Sequence, residues 1–287
     1  MTIKLSSRVQ AVKPSLTLAI TARAAELRAE GKDVIGLGAG EPDFDTPEHI
    51  KKAARKAIAD GKTKYTAVDG TATLKQAIID KFQRDNGFEY AADQVLVSCG
   101  GKQSFYNLAQ AILDPGDEVI IPAPYWVSYP DMSILAGGVP VLIHADAEQN
   151  FKMSPAQLRG ALTDNTRLVV INSPSNPTGM AYSLDELAAL GEVLREHPKV
   201  VIATDDMYEH IRWNLDVPFV NILNACPDLA NRTLVLNGVS KAYSMTGWRI
   251  GYTGGPAEII KGMKKVQSQS TSNPCSIAQA AAQEALD

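Results

Sequence analysis

Short apolar runs rich in β-branched residues recur along the second two thirds of the chain, and stretches with helical spacing separate most of them. The runs fall at 94–98, 118–121, 139–143, 167–171, 199–204, 233–236 and 250–252. Between them the spacing predicts helices over about 102–113, after Pro124, over 154–162 and over about 183–195. Continuous apolar strands alternating with helices predict an α/β layered domain with a mostly parallel sheet. Ahead of that rhythm, Ser15 to Glu30 has helical spacing and stops at Gly31, a good C-cap. Residues 33–37 read as extended, and Gly36 to Pro42 as a glycine-rich turn. Thr46-Pro47 opens a helix running to about Asp60, because proline suits the first helical turn. No internal repeat or low-complexity linker interrupts the chain.

Ligands of such sheets sit outside the carboxyl ends of the strands. Residues just after the apolar runs should therefore be polar or glycine. Five segments meet that expectation: Ser98–Lys102, Pro122–Trp126, Asn172–Gly179, Asp205–Tyr208 and Asn237–Lys241.

Composition narrows the class. The chain has 287 residues, 45% hydrophobic and 21% charged, with a net charge of -4. That balance suits a globular protein and gives no reason to expect a nucleic acid or an acidic membrane as partner. No apolar run reaches membrane-spanning length, and Met1 to Arg8 has no apolar signal core. Cys99, Cys226 and Cys275 are far apart and odd in number, which reads as free thiols in a reducing cytoplasm. The four histidines show no ligand spacing, so no metal site is expected.

Lys241 lies amid small and hydroxyl side chains, with Arg249 eight residues on. A lysine in a partly apolar pocket loses its proton and attacks an aldehyde. An arginine holds a phosphate through parallel hydrogen bonds. Pyridoxal 5'-phosphate carries both groups. The other loops add parts that each also have a plain structural reading. Gly100-Gly101-Lys102 offers amides to an anion at a helix start, or makes a tight turn. Trp126 can stack on a planar ring, or pack in the core. Asn176, between two prolines, can face a phenolic oxygen, or mark a turn. Asp205 or Asp206 can hold a protonated pyridine nitrogen, or cap the next turn, and Tyr208 follows. Gly61-Lys62-Thr63 is not a P-loop, because Lys56 stands where glycine is required. Gly36 to Gly40 is not a dinucleotide fingerprint, because the third glycine is misplaced and Pro42 follows.

The ordered set Gly40-Glu41-Pro42-Asp43-Phe44, Tyr65, Gly100-Gly101-Lys102, Pro124-Tyr125-Trp126, Asn172–Gly179, Asp205-x-x-Tyr208 and Ser240-Lys241 to Arg249 resembles the class I/II aminotransferases of fold type I. Pro124 to Pro130 and Ser244 to Tyr252 resemble the bacterial branch that uses aspartate and, in some members, prephenate or arogenate. The resemblance implies a three-layer α/β/α large domain over 46–287, with residues 1–45 contributing to a small α+β domain and to dimer contacts. It implies transamination from aspartate or glutamate to 2-oxoglutarate or prephenate by a ping-pong route. Lys241 would hold the cofactor as an aldimine and shuttle the proton, and Asp205 would pair with the ring nitrogen. Tyr208 and Asn176 would contact the ring oxygen, and Trp126 would stack on the ring. Gly100, Gly101, Lys102, Ser240 and Arg249 would hold the phosphate, with Tyr65 reaching across to a second subunit of a homodimer with shared sites. Gly40 and Lys102 would meet substrate carboxylates, and Trp126 and Asn176 would also touch the substrate. Ser15 and Thr17 would line the same pocket.

Two departures from the family pattern stand out. Gly238 occupies the place, three residues before the lysine, where many relatives have a phosphate-binding serine. The chain also stops in a helical stretch at Asp287, where relatives continue through a second small domain carrying a carboxylate-binding arginine. The expectation is a truncated chain that holds the cofactor but transaminates weakly or not at all. A β/γ-lyase of the same fold, and a cofactor-binding module without catalysis, are the competing readings.

Overall fold

The computed structural model describes residues 3–14, 16–38 and 40–287. Seven strands form one mixed sheet: β1 Val95–Ser98, β2 Glu118–Ala123, β3 Val139–His144, β4 Thr166–Asn172, β5 Val201–Asp205, β6 Thr233–Gly238 and β7 Gly251–Gly254. Their order is β1-β7-β6-β5-β4-β2-β3, with β7 antiparallel to both neighbours and the other pairings parallel. Each apolar run of the sequence corresponds to one of these strands. Pro140 sits in β3, at the sheet edge, where a missing N–H costs least.

Eleven helices surround the sheet among the described residues: α1 Ser7–Ala11, α2 Leu16–Ala29, α3 Glu48–Ala59, α4 Ala72–Lys81, α5 Gly101–Ile112, α6 Ser128–Leu135, α7 Pro155–Ala161, α8 Leu184–Arg195, α9 Ile222–Ala225, α10 Ala257–Ser268 and α11 Ser276–Leu286. Successive strand residues point to opposite faces, and the core divides accordingly. Val95, Val97, Ile120, Val169, Ile171, Ile202 and Val235 pack with α3, α4, α7, α8, α9 and α11. Leu96, Val119, Ile121, Leu168, Val170, Ala203, Leu234 and Leu236 pack with α5, α6 and α10. The result is a three-layer α/β/α sandwich.

Helix signals act where the sequence places them. Ser154 and Ser183 cap α7 and α8 in capping boxes with Gln157 and Glu186. Gly31 takes φ 82° after α2. Residues 33–37, expected to be extended, form no strand or helix, and Ile35 and Leu37 are exposed. Four helices have no counterpart in the sequence reading: α1, α4, α9 and α10. α4 buries Lys75 and Lys81 beside its apolar residues, which blurs its periodicity. Ser15, expected at the pocket, lies outside the described residues.

The close approach of β7 to the start of α5 is set by glycine. A Cβ on Gly251 would lie 2.3 Å from the Gly101 amide nitrogen and 2.4 Å from the Gly100 carbonyl carbon. Both obstacles are backbone. Gly251→Ala is therefore expected to lower stability by ~1–3 kcal/mol, the usual cost of overpacking, measured by urea denaturation.

Candidate active site

A cavity of about 620 Å³ opens at the carboxyl ends of the parallel strands. Its lining includes Gly101, Lys102, Trp126, Asn176, Asp205, Tyr208, Ser240, Lys241 and Arg249. Leu37, Gly38 and Gly40 line one side. Nine of the residues singled out from the sequence for cofactor contact thus meet in one place, and Gly40 joins them. Tyr65 does not: it is 92% exposed and borders a separate hollow with Lys62, Thr71 and Gln283. Nothing is described of the Thr17 side chain.

Asp205 ends β5 and faces the cavity. Tyr129 donates its hydroxyl proton to Asp205 Oδ2, and the Met207 amide donates to Oδ1 at 3.3 Å. Burial nevertheless pushes the Asp205 carboxyl above its ordinary range, against those two hydrogen bonds. A cationic ring nitrogen would supply the counter-charge the carboxylate lacks. Asp206 points the other way, wholly buried, held by Thr204 Oγ1 and Asn221 Nδ2, each at 2.6 Å. The ambiguity between the two aspartates is thereby resolved for the cavity wall.

Asn172 acts as a template at the end of β4. Its Nδ2 donates to the Asp205 carbonyl at 2.9 Å, and its Oδ1 accepts from the Asn176 amide at 2.8 Å. Asn176 so placed lines the cavity beside Tyr208, where it lowers the pKa of the phenol. Burial and the Asp205 charge raise the Tyr208 hydroxyl to about 12, so it remains a proton donor at neutral pH.

Lys241 Nζ donates to the Gly40 carbonyl. Burial holds its pKa below that of an ordinary lysine; Glu41 opposes this and Arg249 adds to it. Thr246 donates to Glu41, Thr46 to the Ser244 carbonyl, and Trp248 Nε1 to Thr46 at 2.9 Å. These bonds fasten the segment 40–46 over the lysine.

Arg249 adopts φ 56° at the rim, with Nη1 donating to the Thr246 carbonyl at 3.0 Å. A Cβ on Gly100 would lie 2.2 Å from Arg249 Nη2, so only glycine lets the guanidinium lie over the start of α5. The Gly101 and Lys102 amides open that 12-residue helix, where an anion is favoured. At Gly238 a Cβ would meet the Ile250 carbonyl at 3.0 Å and Met207 Cε at 3.1 Å, while nearby Ser240 lines the cavity. Lys102 Nζ lies 5.4 Å from the centroid of the Trp126 ring. An amine of lowered pKa, a carboxylate, two phenolic-oxygen partners and a glycine–arginine anion cradle match an aldehyde, a ring nitrogen, a ring oxygen and a phosphate. The cavity fits pyridoxal 5'-phosphate. Tyr129 and Asn172 are functional neighbours for which the sequence reading gave no role; the spacing Trp126-x-x-Tyr129, whose rings meet edge to face at 5.1 Å, is the signal that carries the first.

The family model described as "Aminotransferase class I and II" matches residues 32–287. The chain is 68% identical over 285 residues to an aspartate/prephenate aminotransferase of Nitrosomonas europaea, covering 99% of this chain and 72% of that protein. It is 61% identical to an aspartate/prephenate aminotransferase of Cereibacter sphaeroides, covering 98% and 70%. Among solved structures, an aspartate aminotransferase of Rhizobium meliloti superposes with TM-score 0.96 at 55% identity, covering 100% of this chain and 71% of that one. The Thermus thermophilus aspartate aminotransferase with maleate superposes with TM-score 0.95 at 48% identity, covering 99% and 73%.

Burial raises the Asp206 carboxyl from an ordinary 3.8 to about 7. The folded chain then holds a proton that the unfolded chain releases, so stability falls as pH rises from about 4 to about 7 and stays low above. Asp206→Asn keeps an acceptor for Asn221 and removes the ionisation. It is expected to exceed the parent in stability by ~1–3 kcal/mol at pH 8, with the gain shrinking at pH 5, measured by urea unfolding at both values.

Proposed function

The chain belongs to the class I and II aminotransferases, enzymes dependent on pyridoxal 5'-phosphate, and from that premise we propose that it moves the amino group of aspartate or glutamate to 2-oxoglutarate, with prephenate as a further acceptor, in a ping-pong cycle. The observation that carries this reading is the meeting of Lys241, Asp205, Tyr208, Asn176 and Arg249 on one cavity. Pyridoxal 5'-phosphate supplies an aldehyde for amines and a ring that accepts the electrons of the substrate Cα–H bond.

The residues divide the remaining work. Lys241, its amine made less basic by burial, takes the proton from the substrate α-carbon and returns it on the cofactor side. Asp205 keeps the ring nitrogen protonated, and Tyr129 and the Met207 amide keep Asp205 aimed. Tyr208 and Asn176 hold the ring oxygen. The Gly101 and Lys102 amides, Ser240 and Arg249 hold the phosphate, with Gly100 making room for the guanidinium. Trp126 covers the ring face, and Gly40 meets the substrate carboxylate.

Substrate choice follows from Lys102, an exposed cation on the cavity wall above Trp126. A dicarboxylic substrate offers it a distal carboxylate. Maleate, present with the Thermus thermophilus enzyme, is such a dicarboxylate. The relatives' names, aspartate/prephenate aminotransferase, favour transfer over β/γ elimination.

The exposure of Tyr65, outside its own cavity, supports a homodimer in which it serves the neighbouring site. Residues 46–287 form the cofactor-binding domain in this reading, and 1–45 belong with a smaller domain and the dimer contacts; exposed Ile3, Leu5, Val9, Ile35 and Leu37 support that assignment. The thiols Cys99, Cys226 and Cys275 are free, which suits the cytoplasm. No helix among the described residues is long and apolar enough to cross a membrane.

With aspartate, the loaded protein is expected to yield a 2-oxo acid without ammonia, and Lys102→Ala to raise the KM for aspartate ~10–100-fold, the weight of a charged hydrogen bond, with little change for an aromatic donor. Release of ammonia together with the 2-oxo acid would instead establish a lyase.

A further inference from the structure

Behind the cavity, on the opposite face of the sheet, four polar side chains are buried together. Lys81 is 1% exposed, Asn86 9%, Glu209 3% and Asn237 2%. They come from three separate elements: α4 and the turn after it, the turn after β5, and the end of β6. Glu209 stands at the centre. Its carboxylate pairs with Lys81 Nζ, accepts from Asn237 Nδ2 at 2.7 Å and accepts from Asn86 Nδ2 at 2.9 Å. Lys81 Nζ also donates to Asn86 Oδ1 at 2.7 Å. Asn237 closes the chain of bonds by accepting from the Gly238 amide at 2.7 Å. Toward the surface, Asp85 lies 3.8 Å from Lys81, and His210 lies 3.5 Å from Glu209.

The positions of these residues in the chain give the cluster its meaning. Glu209 directly follows Tyr208, and Asn237 stands four residues before Lys241. One carboxylate therefore ties the end of β5, which carries Asp205 and Tyr208, to the end of β6, which leads to Lys241. The helical anchor is built for the purpose. Phe82–Asn86 forms a π-helical turn after α4. In an α-helix, residues five apart diverge by about 140° around the axis. The wider π turn brings residues i and i+5 to the same side, and here they are Lys81 and Asn86. Gly87 then leaves the turn at φ 74°.

A buried ion pair is weak evidence for stability, since apolar residues of similar volume commonly serve as well. Its directed hydrogen bonds instead fix geometry. We propose that Glu209, held by Lys81 and Asn86 and joined to Asn237, is a positioning residue that sets Tyr208 and Lys241 in register across β5 and β6. This rests on the roles given above to Tyr208 and Lys241. The two strands already share ladder bonds up to Asp205 and Leu236. Beyond that point β5 gives way to a turn while β6 continues along β7 to Gly238, and Glu209–Asn237 is the side-chain hydrogen bond that joins the two among the described residues.

The test reads coupling across the tie. Two variants of the whole chain cut it from opposite sides: Asn237→Ala, and the double replacement Lys81→Met with Glu209→Met, which removes both charges at once. In the unloaded protein, Asn237→Ala is expected to speed amide hydrogen exchange at least tenfold at 206–210, on the other element. The double variant is expected to do the same at 238–242. Exchange in β4 is expected to stay as in the parent. After loading with pyridoxal 5'-phosphate, either variant is expected to lose at least fivefold in kcat for aspartate with KM within twofold. Faster exchange confined to each variant's own element, or raised evenly over the sheet, with kcat unchanged, would overturn the proposal. Should one variant not fold, the other still decides. A parent protein that forms no Lys241-dependent band with pyridoxal 5'-phosphate would refute the functional reading and leave the exchange result to judge the tie.

Discussion

Parallel strands covered by helices on both faces leave polar side chains room only where a strand runs out. β2, β4, β5 and β6 obey that constraint closely. Ile120 and Ile121, Val169 to Ile171, Ile202 and Ala203, and Leu234 to Leu236 are buried apolar residues, and toward the carboxyl ends the polar groups begin at Asn172, Thr204 and Asn237. The whole cavity follows from this edge. Three strands, β4, β5 and β6, deliver an amide template, a carboxylate and the approach to Lys241 to a common surface, while β2 leads into the loop bearing Trp126. The antiparallel β7 adds Gly251, whose lack of a side chain lets the first turn of α5 approach.

Charge at this edge is balanced by placement rather than by exposure. Lys241 and Asp205 are both disfavoured in their charged forms by burial, and both are supplied with specific partners. Lys241 has the Gly40 carbonyl and the field of Glu41; Asp205 has Tyr129 and a backbone amide. A lysine that readily loses its proton and a carboxylate that gains from a cationic neighbour are complementary needs. One ligand carrying an aldehyde and a ring nitrogen meets both, which is why the cofactor belongs to the same argument as the fold.

Much of this was legible in the sequence. The seven apolar runs, the polar residues after them and the nine residues that meet in the cavity are all local signals. What the sequence concealed is non-local. Tyr129 looks like one aromatic in a Pro- and Tyr-rich stretch until its hydroxyl meets Asp205, 76 positions away. Helix α4 was hidden because Lys81 reads as a surface residue, whereas it is buried by pairing with Glu209 from another element. The residues alone left Asp205 and Asp206 open and the family resemblance pointed to Asp205; the structure puts Asp205 on the cavity wall and buries Asp206 against Thr204 and Asn221. Tyr65 remains outside the cavity of its own chain, and no local pattern says what it faces.

The central claim is that Lys241 and the groups around it form a site for pyridoxal 5'-phosphate that works on an acidic amino acid. The visible absorbance of the protein mixed with pyridoxal 5'-phosphate, recorded before and after adding aspartate, tests it most directly. The account predicts a visible band that is lost in Lys241→Ala and that changes when aspartate is added. A band indifferent to Lys241→Ala, or no band at all, would contradict it.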